Sequence, residues 1–165
     1  MQRWIRVCAT FSAGLILGMV AIKSIDAEQD KGIGIRLNHV GISVKNLQES
    51  VDYYTKTLGM RQGFVMRDKN GNPGTVSLQV DKYTFLELSQ ATAERPVGIS
   101  HVGFQTESMN DTLAELKRRG VMVADPTSVG SGAPHTSIID PNGVRLEMLE
   151  FVPESMQRKA IEAYK

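Results

Sequence analysis

The chain has 165 residues, of which 41% are hydrophobic and 22% charged, with 19 Lys and Arg against 18 Asp and Glu. That length allows one well-packed domain and excludes two large ones. The near-neutral charge gives no electrostatic footprint for nucleic acid, and a single cysteine, Cys8, excludes a disulfide framework within the chain.

Residues 1–27 carry two early arginines, Arg3 and Arg6, then an apolar run from Val7 to Ile22 without acid or base, then Ser24-Ile25-Asp26-Ala27. The pattern is that of a cleaved export signal. The run is shorter than the ~20 apolar residues a spanning helix needs, so a retained N-terminal membrane anchor is the second reading. Both place the protein outside the cytosol: exported to a periplasm or secreted, or tethered to a membrane by this segment. Removal of 1–27 takes three bases and one acid, leaving a net charge of −1 and no cysteine. Thiolate ligands and a cysteine nucleophile would go with it.

Residues 28–36 read as a polar, glycine-containing linker. Leu37 to Val44 alternates apolar with small or polar residues, the period of a half-buried strand. Asn46 can cap a helix whose apolar stripe is Leu47, Val51, Tyr54 and Leu58, ending at Gly59. Gln62 to Arg67 is strand-like, Asp68 to Gly74 is a loop, and Thr75 to Asp81 and Tyr83 to Ser89 are strands joined tightly at Asp81-Lys82. The order then repeats. Ile99 to Gln105 is a strand, and a helix entered through Asn110-Asp111 carries Leu113 and Leu116 to Gly120. Val121 to Ala124 is a strand, Val129 to Pro134 a glycine-rich loop, and His135 to Ile139 and Val144 to Phe151 are strands about an Asp140-Pro141-Asn142-Gly143 turn. Beyond Pro153, Met156, Ala160, Ile161 and Tyr164 line one side of a terminal helix within 153–165.

The expected class is α+β: two βαβββ modules in tandem, 37–90 and 99–152, forming one domain over 37–152. Neither small sheet can bury both faces alone, so two modules side by side curve around a common cavity. The repeat also carries chemistry. His39-Val40-Gly41 is matched by His101-Val102-Gly103, and Phe85-Leu86-Glu87-Leu88 by Arg145-Leu146-Glu147-Met148. A lone strand histidine is more often structural than ligating, but a structural accident should not recur in both halves. Two imidazoles and two carboxylates suit one divalent ion of intermediate hardness (Ni, Co, Zn, Mn or Fe(II)) with positions left for water or substrate.

These segments, with Tyr53 to Met60 and Asp140 to Glu147, resemble the vicinal oxygen chelate (VOC) superfamily, which includes glyoxalase I, methylmalonyl-CoA epimerase, extradiol dioxygenases and fosfomycin- or bleomycin-resistance proteins. The resemblance implies a small-molecule substrate whose neighbouring oxygens reach a metal held by His39, Glu87, His101 and Glu147. It implies removal of a proton next to a carbonyl, with Glu147 as base and Glu87 as its pseudo-symmetric counterpart and possible second base. It also implies a homodimer, with cavities built from halves of different subunits and the terminal helix over an interface or the outer sheet.

The fourth ligand favours isomerase, lyase or epimerase chemistry. One alternative is an Fe(II) or Mn(II) dioxygenase using two His and Glu147 with Glu87 idle, and another is a non-catalytic antibiotic-binding protein. Glutathione-dependent glyoxalase I itself is disfavoured, because the arginine and asparagine that hold glutathione there are replaced by Ser43 and Ala91. His135 is a candidate substrate contact, although a partly exposed strand-start residue is the plainer account. Arg67 and Arg145 could meet an anion, with solvated strand edges again the plainer account.

Overall fold

In the computed structural model, residues 32–128 and 130–165 are described; the export-signal or anchor segment lies outside them. Gly34–Lys165 folds as one unit, and no helix among the described residues is long and apolar enough to cross a membrane.

The first module runs β1 (Ile35–Val44), α1 (Leu47–Asp52), β2 (Arg61–Arg67), β3 (Pro73–Gln79) and β4 (Phe85–Gln90). The second runs β5 (Gly98–Thr106), α2 (Met109–Arg118), β6 (Thr127–Ser128), β7 (Pro134–Ile139) and β8 (Arg145–Glu150), and α3 (Met156–Glu162) closes the chain. All eight strands form one sheet in the order β2-β3-β4-β1-β5-β8-β7-β6, so the second module mirrors the first about the β1–β5 pair. β1 and β5 are antiparallel, and each runs parallel to the last strand of its own module. The mixed sheet curls into a half-barrel, with three α-helices among the described residues.

Strand alternation sorts the two faces by polarity. On the outside, Val44, Val76, Leu78 and Leu88 pack with Val51 of α1, and α2 buries Met109, Leu113 and Leu116. Residues of opposite parity face inward: His39, Gly41 and Ser43 from β1, Ser77 and Gln79 from β3, Glu87 from β4, His101 from β5, Glu147 from β8. Buried polar groups on this scale signal function more than buried apolar ones do.

Several elements differ from the sequence expectation. The first helix is α-helical only to Asp52 and continues as a π-helical turn, Tyr53–Thr57. Thr55 bonds back to the Val51 carbonyl at 2.7 Å, and the wider turn carries Leu58, expected on the apolar stripe, to 52% exposure. The second helix starts at Met109, capped by Ser108, earlier than Asn110-Asp111 suggested. Val121 to Ala124 is not a strand: pairing begins after Pro126, which lacks an N–H and restricts Asp125, and Met122 is fully exposed. The Asp81-Lys82 junction is a longer loop in which Asp81 accepts from the Tyr83 and Thr84 amides, delaying β4 to Phe85. β1 begins at Ile35, two residues before the predicted domain start.

The terminal helix also sits elsewhere than expected. Ala160 and Ile161 pack with Phe85, Leu149 and Phe151, which share the inner face with Glu87 and Glu147. Gln79 and Arg61 donate to the carbonyls of Ala160 and Ala163 at 3.2 and 2.9 Å. α3 therefore plugs the inside of the half-barrel and does not cover its outer sheet.

Candidate metal centre and its cleft

The β1–β5 register decides the geometry of the site. His39 stands opposite Gly103 and Gly41 opposite His101, while Gly41 also pairs with Glu87 and Gly103 with Glu147. Two cross-strand rows result, Glu87·Gly41·His101 and His39·Gly103·Glu147, each drawing residues from both modules. A Cβ on Gly41 would overlap the His101 ring, and one on Gly103 would overlap the His39 ring. Each glycine thus clears the space into which the other module's imidazole folds.

The two imidazole Nε2 atoms are 3.1 Å apart. Glu87 Oε2 lies 4.0 Å from His39 Nε2 and 3.8 Å from His101 Nε2, and Glu147 Oε2 lies 3.7 Å from both. His39, Glu87 and His101 offer donor atoms all within 4.8 Å of one another. For donors about 2.1 Å from an ion, separations run from about 3.0 Å at a right angle to about 4.2 Å in line, so the spacings of the two imidazoles to each other and to either carboxylate fit one first-row divalent ion, with Glu147 outside the group of three.

The residue before each histidine supplies its orientation. His39 Nδ1 lies 3.2 Å from Asn38 Oδ1, and His101 Nδ1 lies 3.0 Å from Ser100 Oγ. An Nδ1–H donated to these oxygens leaves both Nε2 lone pairs facing each other, an arrangement a cation satisfies and two neutral rings do not. Burial brings the His101 pKa down to about 4, against the pull of Glu147, so this imidazole is neutral and ligand-ready at neutral pH.

The two carboxylates differ. Burial pushes Glu87 up from the usual carboxylate range, with His39 opposing and the charge of Glu147 reinforcing the rise. Burial acts on Glu147 in the same sense but is outweighed by His135, His39, His101 and Arg145, which hold it well below that range. Arg145, two residues along the same strand face, forms an ion pair with Glu147 Oε1. Among the described residues Glu87 has no such ion pair with an arginine, and both histidines lie close to it.

A cleft of about 190 Å³ opens over these groups. His135 does line it: its Nε2 is 3.7 Å from Glu147 Oε1, and both ring nitrogens are buried without a hydrogen-bond partner among the described residues. Arg67 is elsewhere, donating to the Gly71 carbonyl in the β2–β3 loop. Among the lining residues that the sequence did not single out are Arg95 from the inter-module connection, Ser131 from the glycine-rich loop and Gln157 from α3. Gln157 Nε2 donates to Ser131 Oγ at 3.1 Å, leaving Gln157 Oε1 unpartnered. Only the docking of α3 inside the sheet brings that pair together, and local pattern does not encode it.

Residues 36–148 match the profile of the Glyoxalase/Bleomycin resistance protein/Dioxygenase superfamily. The chain belongs to this superfamily. Mitochondrial methylmalonyl-CoA epimerase of Dictyostelium discoideum is 28% identical over 134 residues, covering 72% of this chain and 80% of the relative. Glyoxalase I of Saccharomyces cerevisiae (strain ATCC 204508 / S288c) is 22% identical over 151 residues; the alignment takes in 73% of this chain and under half, 46%, of the yeast protein. The crystal structure of methylmalonyl-CoA epimerase from Mycobacterium tuberculosis shares the fold, with a TM-score of 0.62 at 21% identity over 72% of this chain and 89% of that one.

Proposed function

We propose that the protein is a divalent-metal-dependent VOC enzyme of the isomerase, epimerase or lyase type, which removes a proton next to a carbonyl of a small substrate with neighbouring oxygens. The observation that carries this reading is the convergence, within one chain, of two Nε2 atoms 3.1 Å apart and two carboxylates on the polar inner face of the sheet. Similarity to methylmalonyl-CoA epimerase and glyoxalase I supports the reaction class. An ion held by His39, Glu87, His101 and Glu147 would supply Lewis-acid stabilisation of the negative charge that develops on the substrate oxygen.

The chain's own groups divide the remaining work. His39 and His101, steadied through Nδ1, fix the centre. Glu147, tied by Arg145, stays in place as a ligand, and Glu87, outside that ion pair and beside both imidazoles, moves the proton. This reading makes Glu87 the base in place of Glu147, to which the resemblance gives that role. His135 and the Ser131–Gln157 pair present polar groups to the substrate and exclude bulk water with α3. Glu87 groups with His39 and His101, which argues against a dioxygenase triad in which Glu87 stands idle, and the choice of reaction class rests on the relatives. Homodimerisation and export, the latter on the composition of residues 1–27, belong to the same proposal.

The test is proton exchange. The metal-loaded protein, incubated in D2O with a panel of α-oxygenated carbonyl compounds, should exchange the α-proton of at least one. Glu87→Gln should remove that exchange by about 10²-fold or more while metal is retained. Absence of exchange across the panel, with oxygen consumed on catechols by Fe(II)-loaded protein, would replace this reading with the dioxygenase one.

A further inference from the structure

A second cavity of about 330 Å³ adjoins the metal cleft. Arg95, Ser100 and Arg145 line both, so these side chains mark the passage between them. The floor of the second cavity includes Ser43, which sits on the inner face of β1 two residues beyond Gly41. Ser43 is 1% exposed and its hydroxyl has no hydrogen-bond partner among the described residues. A buried orphan hydroxyl in a cavity wall is a donor awaiting an acceptor.

Arg95 is held from the backbone side. Its amide donates to Thr92 Oγ1 at 3.2 Å, its carbonyl accepts from the Thr92 amide at 2.9 Å, and Pro96 restricts it further. Glu94, the carboxylate in this wall, is occupied by the Thr92 hydroxyl at 2.9 Å. Arg95 and Arg145 bring two guanidinium groups to a wall that also holds Glu94, and Arg145 is shared with Glu147. Arg145 offers Glu147 one nitrogen of its fork, and the other donors are available. Pro96, Val97 and Ile99 form an apolar lip, suited to a short carbon chain.

We propose that the second cavity is a carboxylate subsite of the same centre: the substrate carries, a short chain away from its chelating oxygens, a carboxylate held by Arg95, Arg145 and the Ser43 hydroxyl. The placement of the chelating end rests on the metal-centre reading above; the carboxylate end does not.

The test compares 2-oxo acids that differ only in the far end. Binding of 2-oxoglutarate and 2-oxoadipate to the zinc-loaded full chain is measured by calorimetry against 2-oxopentanoate and 2-oxohexanoate of equal length. At least one diacid should bind about tenfold more tightly than its counterpart, as expected for a charge-assisted fork, and Arg95→Ala should bring that ratio close to one. Ser43→Ala should lower the ratio without lowering Tm, because it deletes an unpartnered hydroxyl and no structural bond. Equal binding of diacid and monoacid by the native chain, or a preference that survives Arg95→Ala, overturns the subsite. If zinc removal changes the binding of neither acid, the metal reading fails, and the same ratio on the metal-free chain still decides the subsite. Failure of every acid to bind in either form overturns both.

Discussion

At the residue scale the site depends on two glycines as much as on its four proposed donors. Gly41 and Gly103 do not bind anything, yet each occupies the register position where a side chain would fill the opposite module's histidine pocket. Gly41→Ala or Gly103→Ala should weaken divalent-ion binding by about 10- to 100-fold, the range for losing ligand orientation, while circular dichroism shows an intact fold. Unchanged affinity would remove the glycines from the account. The carboxylates give a pH prediction. Glu87's pKa is raised in the fold from about 4.5, so its ionisation on the way to neutral pH costs the metal-free fold stability. His101, lowered from 6.5 to about 4, acts oppositely between those values, so the comparison has to be with a variant. Thermal melts of the metal-free chain should show Glu87→Gln gaining on the native protein as pH rises above about 4.5; a constant difference would contradict it. The His and Glu pairs were legible because the repeat writes them twice. The glycine cradles were not interpretable from sequence, since their role depends on an antiparallel register between strands about sixty residues apart.

At the scale of elements, the outer face was the easier half to read. Apolar stripes over Leu47 to Val51 and Leu113 to Leu116 pack where periodicity put them, whereas the turn at Tyr53–Thr57 widened because Thr55 competes for a helical carbonyl. The placement of α3 could not be read, because an amphipathic helix fits any apolar surface and its partners, Phe85 and Leu149, lie on distant strands. Ile161→Ala should cost about 2–4 kcal/mol, seen as a fall in Tm, because the side chain is 6% exposed within that cluster. The same variant should loosen Gln157 against Ser131 and reduce substrate affinity more than metal affinity. A loss confined to Tm would leave α3 a structural plug only.

At the scale of the whole molecule, the two modules join edge to edge through β1 and β5, so all four donors come from one chain. A dimer that exchanges halves is not needed to complete the centre. If the protein forms the homodimer we propose, each protomer keeps its own site, and dilution that separates the protomers in the ultracentrifuge should leave bound metal per chain unchanged; loss of metal in step with dissociation would show a shared site. The central claim, that His39, Glu87, His101 and Glu147 form a single-chain metal centre, is met most directly by titrating the metal-free full chain with zinc under calorimetry, with elemental analysis of the product. The native protein should bind about one ion per chain tightly, and Glu87→Ala combined with His101→Ala should abolish that binding in a folded domain. The same stoichiometry and affinity in the double variant would contradict the account.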